Sequence, residues 1–254
     1  MTGKENTTRA IEFRDPAYLP CMIGVNLDRL LDTDEAKRER VRELADASPD
    51  DMLGRLNPAC AGSERVSQAG VTRWTDEWRT GWEDDGHGAR AESYPLQSGY
   101  NALADYTFPD PHRPGRFDAV DEKLKERGGR YVLSVVWFTL FERLWMLRGF
   151  NNMLMDPYTE EENFCRLRDR IVEYNLAIID QWVERGVDGV FFSDDWGSQR
   201  GLLMNPDDWR RFYKPSYRLM FERVRAGGAH VWMHLCGNVT AILPDLIEIG
   251  LNVL

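Results

Sequence analysis

The chain has 254 residues, a formal net charge of −10 and four cysteines. That length buries a core large enough for one barrel-sized domain. The acidic balance and the lack of a basic patch argue against nucleic acid as a partner. No apolar run approaches the ~20 residues of a spanning helix, and the polar N-terminus has no signal-peptide core, so a soluble, cytoplasmic protein with no membrane partner is expected. Cys21, Cys60 and Cys165 read as ordinary buried thiols, too scattered for a disulfide framework; Cys236, two residues from a histidine, is the exception.

Residues 1–16 read as a loose leader, 18–25 as a first strand and 34–47 as a charged amphipathic helix. From 48 to 130 the pattern blurs into Gly, Asp, Trp and Pro, with strands expected at 71–78 and 90–96 facing each other. This stretch is either a lid inserted in the main fold or a surface loop. From 131 the alternation is clear: a strand at 131–138, a helix at 140–148, then a long helix that Thr159 and Glu162 would start as a capping box and Gly186 would stop. The next strand is 187–193. Asn205-Pro-Asp-Asp then opens a helix whose buried stripe runs through Trp209, Phe212, Tyr213, Met220 and Val224. A strand at 230–234, a short helix at 244–249 and the start of a strand at 251–254 complete the chain. Strands joined by crossover helices give a parallel sheet with helices outside, and the expected fold is an α/β (β/α)8 TIM barrel, one domain over 1–254, its last strands missing.

Reactive residues gather where two of these strands end, the side on which barrels place their active sites. Asp194 and Asp195 follow the strand 187–193, and their mutual repulsion would raise one pKa and make a proton donor. The alternative is that one caps a turn and the other is solvated. Trp196 and Gln199 would line the same mouth as a stacking surface and an amide partner, and Glu142 could reach it from the helix after 131–138. His234 and Cys236 suit a soft metal, zinc best. Two ligands do not make a site, and the alternative is a hydrogen-bonded core histidine beside a small buried thiol. His230, at the start of its strand, belongs to the opposite, stabilising face.

Phe141-Glu-Arg-Leu-Trp-Met-Leu-Arg-Gly149, Met155-Asp156, Gly186-Val-Asp-Gly-Val, Asp194-Asp195-Trp196-Gly197, Pro206 to Trp209, Tyr213-Lys-Pro215, His234-Leu-Cys-Gly-Asn238 and Ile247-Glu-Ile-Gly250 together resemble the uroporphyrinogen decarboxylase-like superfamily. The resemblance implies a TIM barrel and an enzyme. The superfamily includes true decarboxylases, zinc-dependent methyltransferases that act on methylated corrinoid proteins, and cobalamin-independent methionine synthases. The arginine-rich motif with which the true decarboxylases grip their substrate's carboxylates has no counterpart near 21–29. The methyltransferase branch uses a His-x-Cys pair plus a later Cys as zinc ligands; His234 and Cys236 match the pair, and the later Cys would lie beyond Leu254. The resemblance thus implies zinc, a thiol substrate held as thiolate, a methyl donor carried by a corrinoid protein, and Asp194 orienting the substrate or assisting proton removal. Metal-free decarboxylation of a porphyrinogen or other carboxylated substrate, with Asp194 or Asp195 stabilising a protonated intermediate, is the alternative enzyme. A non-catalytic, ligand-binding or incomplete barrel is the alternative from another class. An open barrel would have to form a homodimer, borrow a partner or be inactive.

Overall fold

The computed structural model describes residues 1–22, 35–47 and 50–254. In chain order the elements are α1 (Gly3–Ile11), α2 (Glu35–Ala47), β1 (Met52–Leu56), β2 (Val66–Gln68), β3 (Val71–Thr75), β4 (Gly81–Asp84), β5 (Ala89–Ser93), α3 (Asp118–Leu124) and β6 (Tyr131–Val136). There follow α4 (Phe141–Arg148), α5 (Phe150–Thr159), α6 (Glu161–Glu184), β7 (Gly189–Ser193), α7 (Pro206–Phe212), α8 (Lys214–Ala226), β8 (His230–His234) and α9 (Leu243–Glu248). No helix among the described residues is long and apolar enough to cross a membrane.

Strands β1, β6, β7 and β8 form a parallel sheet in that order, and a parallel bridge from Trp232 to Val253 adds the chain's last residues beside β8. This parallel order is consistent with part of a barrel, and the described residues form an open four-stranded segment rather than a closed eight. Period-two alternation sorts its side chains. Val132, Val136, Val190, Phe192, Val231 and Met233 enter the main core under the helices, where α6 and α8 supply Ile178, Trp182, Phe221 and Val224. Tyr131, Leu133, Phe191 and Trp232 lie on the other, inner face with Met52. Helix α1 closes the N-terminal end of that face: Lys4 N–H donates to the Gly129 carbonyl at 2.9 Å, and its ammonium pairs with Asp188 at 2.5 Å. His230 sits at this end, 3.1 Å from the Tyr131 hydroxyl.

Strands β2 to β5 form a separate antiparallel meander in sequential order. Strands at 71–75 and 89–93 overlap the expected spans, but they do not face each other, because β4 lies between them and pairs with both. Residues 18–22 form no strand, and the rest of the expected strand 18–25 lies outside the described residues. Thr159 does not open α6. It ends α5, its hydroxyl donating to the Met155 carbonyl at 3.2 Å, and α6 starts after Glu160 with no side-chain cap. The helix expected from Asn205 starts as expected, Asn205 Oδ1 accepting the Asp207 N–H at 2.9 Å. It breaks at Tyr213, and Pro215 falls in the first turn of α8, where a missing N–H costs nothing. Cys21 and Cys60 are exposed and Cys165 is half-buried, so the first two are not the core thiols expected; both sit in loops rather than on a core-facing element.

Candidate active site

The register that pairs Ser193 with His234 brings the ends of β7 and β8 side by side. The two chains stay together beyond the strands: Asp194 N–H donates to the His234 carbonyl at 3.2 Å and Gly197 N–H to the Cys236 carbonyl at 3.1 Å. Two glycines permit this approach. A Cβ on Gly237, whose φ is +81°, would lie 2.3 Å from the Gly197 carbonyl carbon, and one on Gly197 would lie 2.6 Å from the Cys236 carbonyl oxygen. Gly237→Ala is therefore expected to cost about 1–3 kcal/mol from the backbone conformation alone. A fall in the urea midpoint would report it.

The adjoining side chains are Asp195, His234 and Cys236, whose candidate ligand atoms all lie within 4.8 Å of one another. His234 Nε2 is 3.3 Å from Cys236 Sγ and 3.7 Å from Asp195 Oδ1, and Asp195 Oδ1 accepts the Cys236 N–H at 2.9 Å. The His234 ring lies nearly parallel to Phe191, at 6.4 Å and 21°. Cys236 Sγ is held in its protonated form by its hydrogen bond to Asp195, then by burial and by the Asp195 charge. A divalent ion placed among this carboxylate, imidazole and thiol would reverse the sign of the field on the thiol and favour its deprotonation. The donor set suits zinc, which accepts S, N and O ligands together. Asp195 places a third candidate ligand atom beside His234 and Cys236 among the described residues.

Asp194 points the other way. It is 0 % exposed, its Oδ2 accepts N–H bonds from Leu140 at 3.1 Å and Phe141 at 2.7 Å, and its Oδ1 accepts the Glu142 N–H at 2.7 Å. The Tyr217 hydroxyl donates to Oδ2 as well. The carboxylate therefore caps the N-terminus of α4 from the end of the neighbouring strand. Trp196 is also 0 % exposed, edge-on to Trp209 at 5.2 Å and to Tyr217 at 4.8 Å. It is not the stacking surface expected at the mouth, because its ring faces the helix layer. Gln199 is exposed in the loop bridged from Gly197 to Leu202. Glu142, in the first turn of α4, joins the two aspartates. It is 8 % exposed, its Oε2 is buried and has no hydrogen-bond partner, and its pKa is pushed up to about 9 by burial and then by the charges of Asp194 and Asp195.

A family model described as uroporphyrinogen decarboxylase (URO-D) matches residues 87–254, which include β6, β7, β8 and all three candidate ligands. The chain belongs to the uroporphyrinogen decarboxylase family. Within this family it is similar to the uroporphyrinogen decarboxylase of Thermus thermophilus, at 29% identity over 97 residues, 38% of this chain and 27% of that protein. The aligned stretch thus spans about a quarter of the relative's length. Among solved structures the chain is similar to a methyltransferase from Methanosarcina mazei, with a TM-score of 0.67 at 16% identity, covering 100% of this chain and 75% of the other. At that identity the likeness shows the fold.

Alternation past the strand ends would have grouped the three candidate ligands in this family member. Counting by twos from Phe191 gives Ser193 and Asp195, and from Trp232 gives His234 and Cys236, all on the inner face. The same count from Val190 puts Phe192, Asp194 and Trp196 with the helices.

Proposed function

We propose that this protein transfers a methyl group to a thiol, using zinc held by Asp195, His234 and Cys236, with the methyl donor carried by a corrinoid protein. The proposal includes a complete (β/α)8 barrel as the working fold. The observation that carries it is the convergence of three ligand atoms within 4.8 Å at adjacent strand ends. The methyltransferase neighbour supports the choice of chemistry. Bound there, zinc would supply the positive charge that keeps a substrate thiol ionised near neutral pH. Asp195 and His234 hold the ligand geometry, Asp195 through its bond to the Cys236 N–H and His234 through its stack on Phe191. Asp194 positions them by fixing α4 against the end of β7.

Elemental analysis of the purified protein is expected to give about one zinc per chain. Cys236→Ala and His234→Ala should lose it while keeping their far-UV circular dichroism. Changing a group that only supports a ligand costs about 10–100-fold in metal affinity, so Asp195→Asn should cost at least that in a chelator competition. Unchanged zinc in Cys236→Ala would sink the proposal.

A second reading, metal-free decarboxylation of a carboxylated substrate, is favoured by Glu142. Its carboxyl, held protonated at neutral pH beside Asp194 and Asp195, is a proton donor of the kind such a reaction uses to quench a carbanion. Zinc-free protein that still releases CO2 from a porphyrinogen, and loses this with Glu142→Gln, would select it.

A further inference from the structure

A cavity of ≈ 560 Å³ lies between the meander and the C-terminal ends of β1 and β6. None of Asp195, His234 or Cys236 lines it. Four of the chain's nine tryptophans do: Trp74, Trp78, Trp82 and Trp137, joined by Phe138 and Tyr174. Its size is that of a small-molecule site. The rings are ordered. Trp74 and Trp82 are direct cross-strand partners, stacked at 6.1 Å and 7°, and Trp82 continues onto Phe138 at 5.8 Å and 28°. Phe138 takes a left-handed backbone, φ +50°, a strained conformation for this residue that persists only where its surroundings enforce it.

The charges at the cavity decide what it would accept. Aromatic walls with carboxylates suggest a cation, but both carboxylates are already saturated. Asp76 accepts the Trp78 and Thr80 N–H groups at 2.9 Å each, Trp82 Nε1 at 3.1 Å and Arg143 at 3.3 Å. Glu77 takes two bonds from Arg116, at 3.1 and 2.8 Å, one from the Tyr174 hydroxyl at 3.1 Å and one from the Ala61 N–H at 3.3 Å. The cations are not saturated in the same way. Arg65 lies over Trp74 at 4.3 Å, and among the described residues no carboxylate pairs with it. Arg143, 7 % exposed, lies over Trp78 at 4.7 Å and, among the described residues, makes its one hydrogen bond at the long 3.3 Å distance to Asp76. Three arginines against two engaged acids leave a positive surplus.

We propose that this cavity binds a planar aromatic carboxylate, its ring stacked among Trp74, Trp82 and Phe138 and its carboxylate paired with Arg65 and Arg143. Stacking favours a flat, conjugated ligand over a saturated one of equal size. Arginine offers two parallel N–H donors to a carboxylate. The inference goes beyond the zinc reading and does not depend on it.

The test is calorimetric titration of the full chain with 2-naphthoate, followed in parallel by tryptophan quenching. Cyclohexanecarboxylate serves as the non-planar anion and 2-naphthylmethylamine as the planar cation. Saturable 2-naphthoate binding is expected, with both controls weaker by about tenfold or more. Arg65→Gln, at an exposed position where folding is not at risk, should weaken 2-naphthoate about tenfold and bring the two planar probes closer together. Trp74→Leu should weaken it as well. Cys236→Ala should bind 2-naphthoate as the parent does, which separates failure here from failure of the zinc proposal. No saturable binding, equal binding of the amine, or an unchanged affinity in Arg65→Gln would each overturn the assignment.

Discussion

Asp194→Ala is expected to lower the unfolding free energy by about 3–5 kcal/mol, the range for removing one partner from a buried charged network. A urea unfolding curve followed by circular dichroism would measure it. The magnitude follows from what the substitution strands. Three backbone N–H groups at the start of α4 and the Tyr217 hydroxyl donate to this one carboxylate. Each buried donor left without a partner costs about 1–3 kcal/mol. The helix start also loses the negative charge that its dipole favours. Asp194→Asn keeps the size of the side chain but turns an NH2 group toward donors, so it should recover little. A substrate-orienting group would behave differently, because its loss would reduce turnover and leave the urea midpoint in place. An unfolding free energy within about 0.5 kcal/mol of the parent, the usual range for inconsequential surface changes, would show that Asp194 is not the capping residue described.

Much of this arrangement was legible in the sequence. Strands β7 and β8 are apolar runs that stop at polar residues, and the Asn205 cap with Pro206 behind it fixes the start of α7. The convergence of chemistry at the ends of β7 and β8 follows from the same pattern. Roles were less legible than places. Asp194 and Asp195 are neighbours with the same chemistry, yet one faces helices and the other the inner face, and only the strand's alternation separates them. Trp196 looked like a mouth residue because its partners, Trp209 and Tyr217, lie on helices whose approach is tertiary. The cavity was hidden for a related reason. Trp74 and Trp82 read as an irregular aromatic stretch until a meander makes them cross-strand partners; Phe138, which follows β6, then stacks on Trp82, and Arg143 of α4 lies over Phe138.

The second large effect is on the pH dependence of stability in the metal-free protein. Glu142 has a pKa raised from 4.5 to about 9, by burial first and then by the neighbouring carboxylates. Asp194 is pushed up from 3.8 to about 6 by burial, opposed by its bonds from Tyr217 and the start of α4. Of the two, Asp194 has the donors that stabilise a charge, so the proton retained at neutral pH is the one on Glu142, whose Oε2 has none. Below about pH 4.5 the folded and unfolded chains both hold this proton. Between 4.5 and 9 the folded chain retains a proton that the unfolded chain has released, so stability falls as pH rises, by up to about 1.4 kcal/mol per pH unit for one full proton. The usual carboxylate, stabilised in its charged form, would give the opposite slope. Glu142→Gln removes the titration while keeping the shape. It should flatten the profile above pH 6 and exceed the parent in stability at pH 8, as measured by urea unfolding in EDTA at pH 6, 7 and 8. Parallel profiles for the two proteins would mean that Glu142 is charged in the fold and that its burial is relieved by a partner. A neutral Glu142 has a consequence for both readings of the function: the protein holds a proton within the field of Asp195. A cation among Asp195, His234 and Cys236 would weaken that hold, so metal loading should release protons from Glu142 as well as from the thiol.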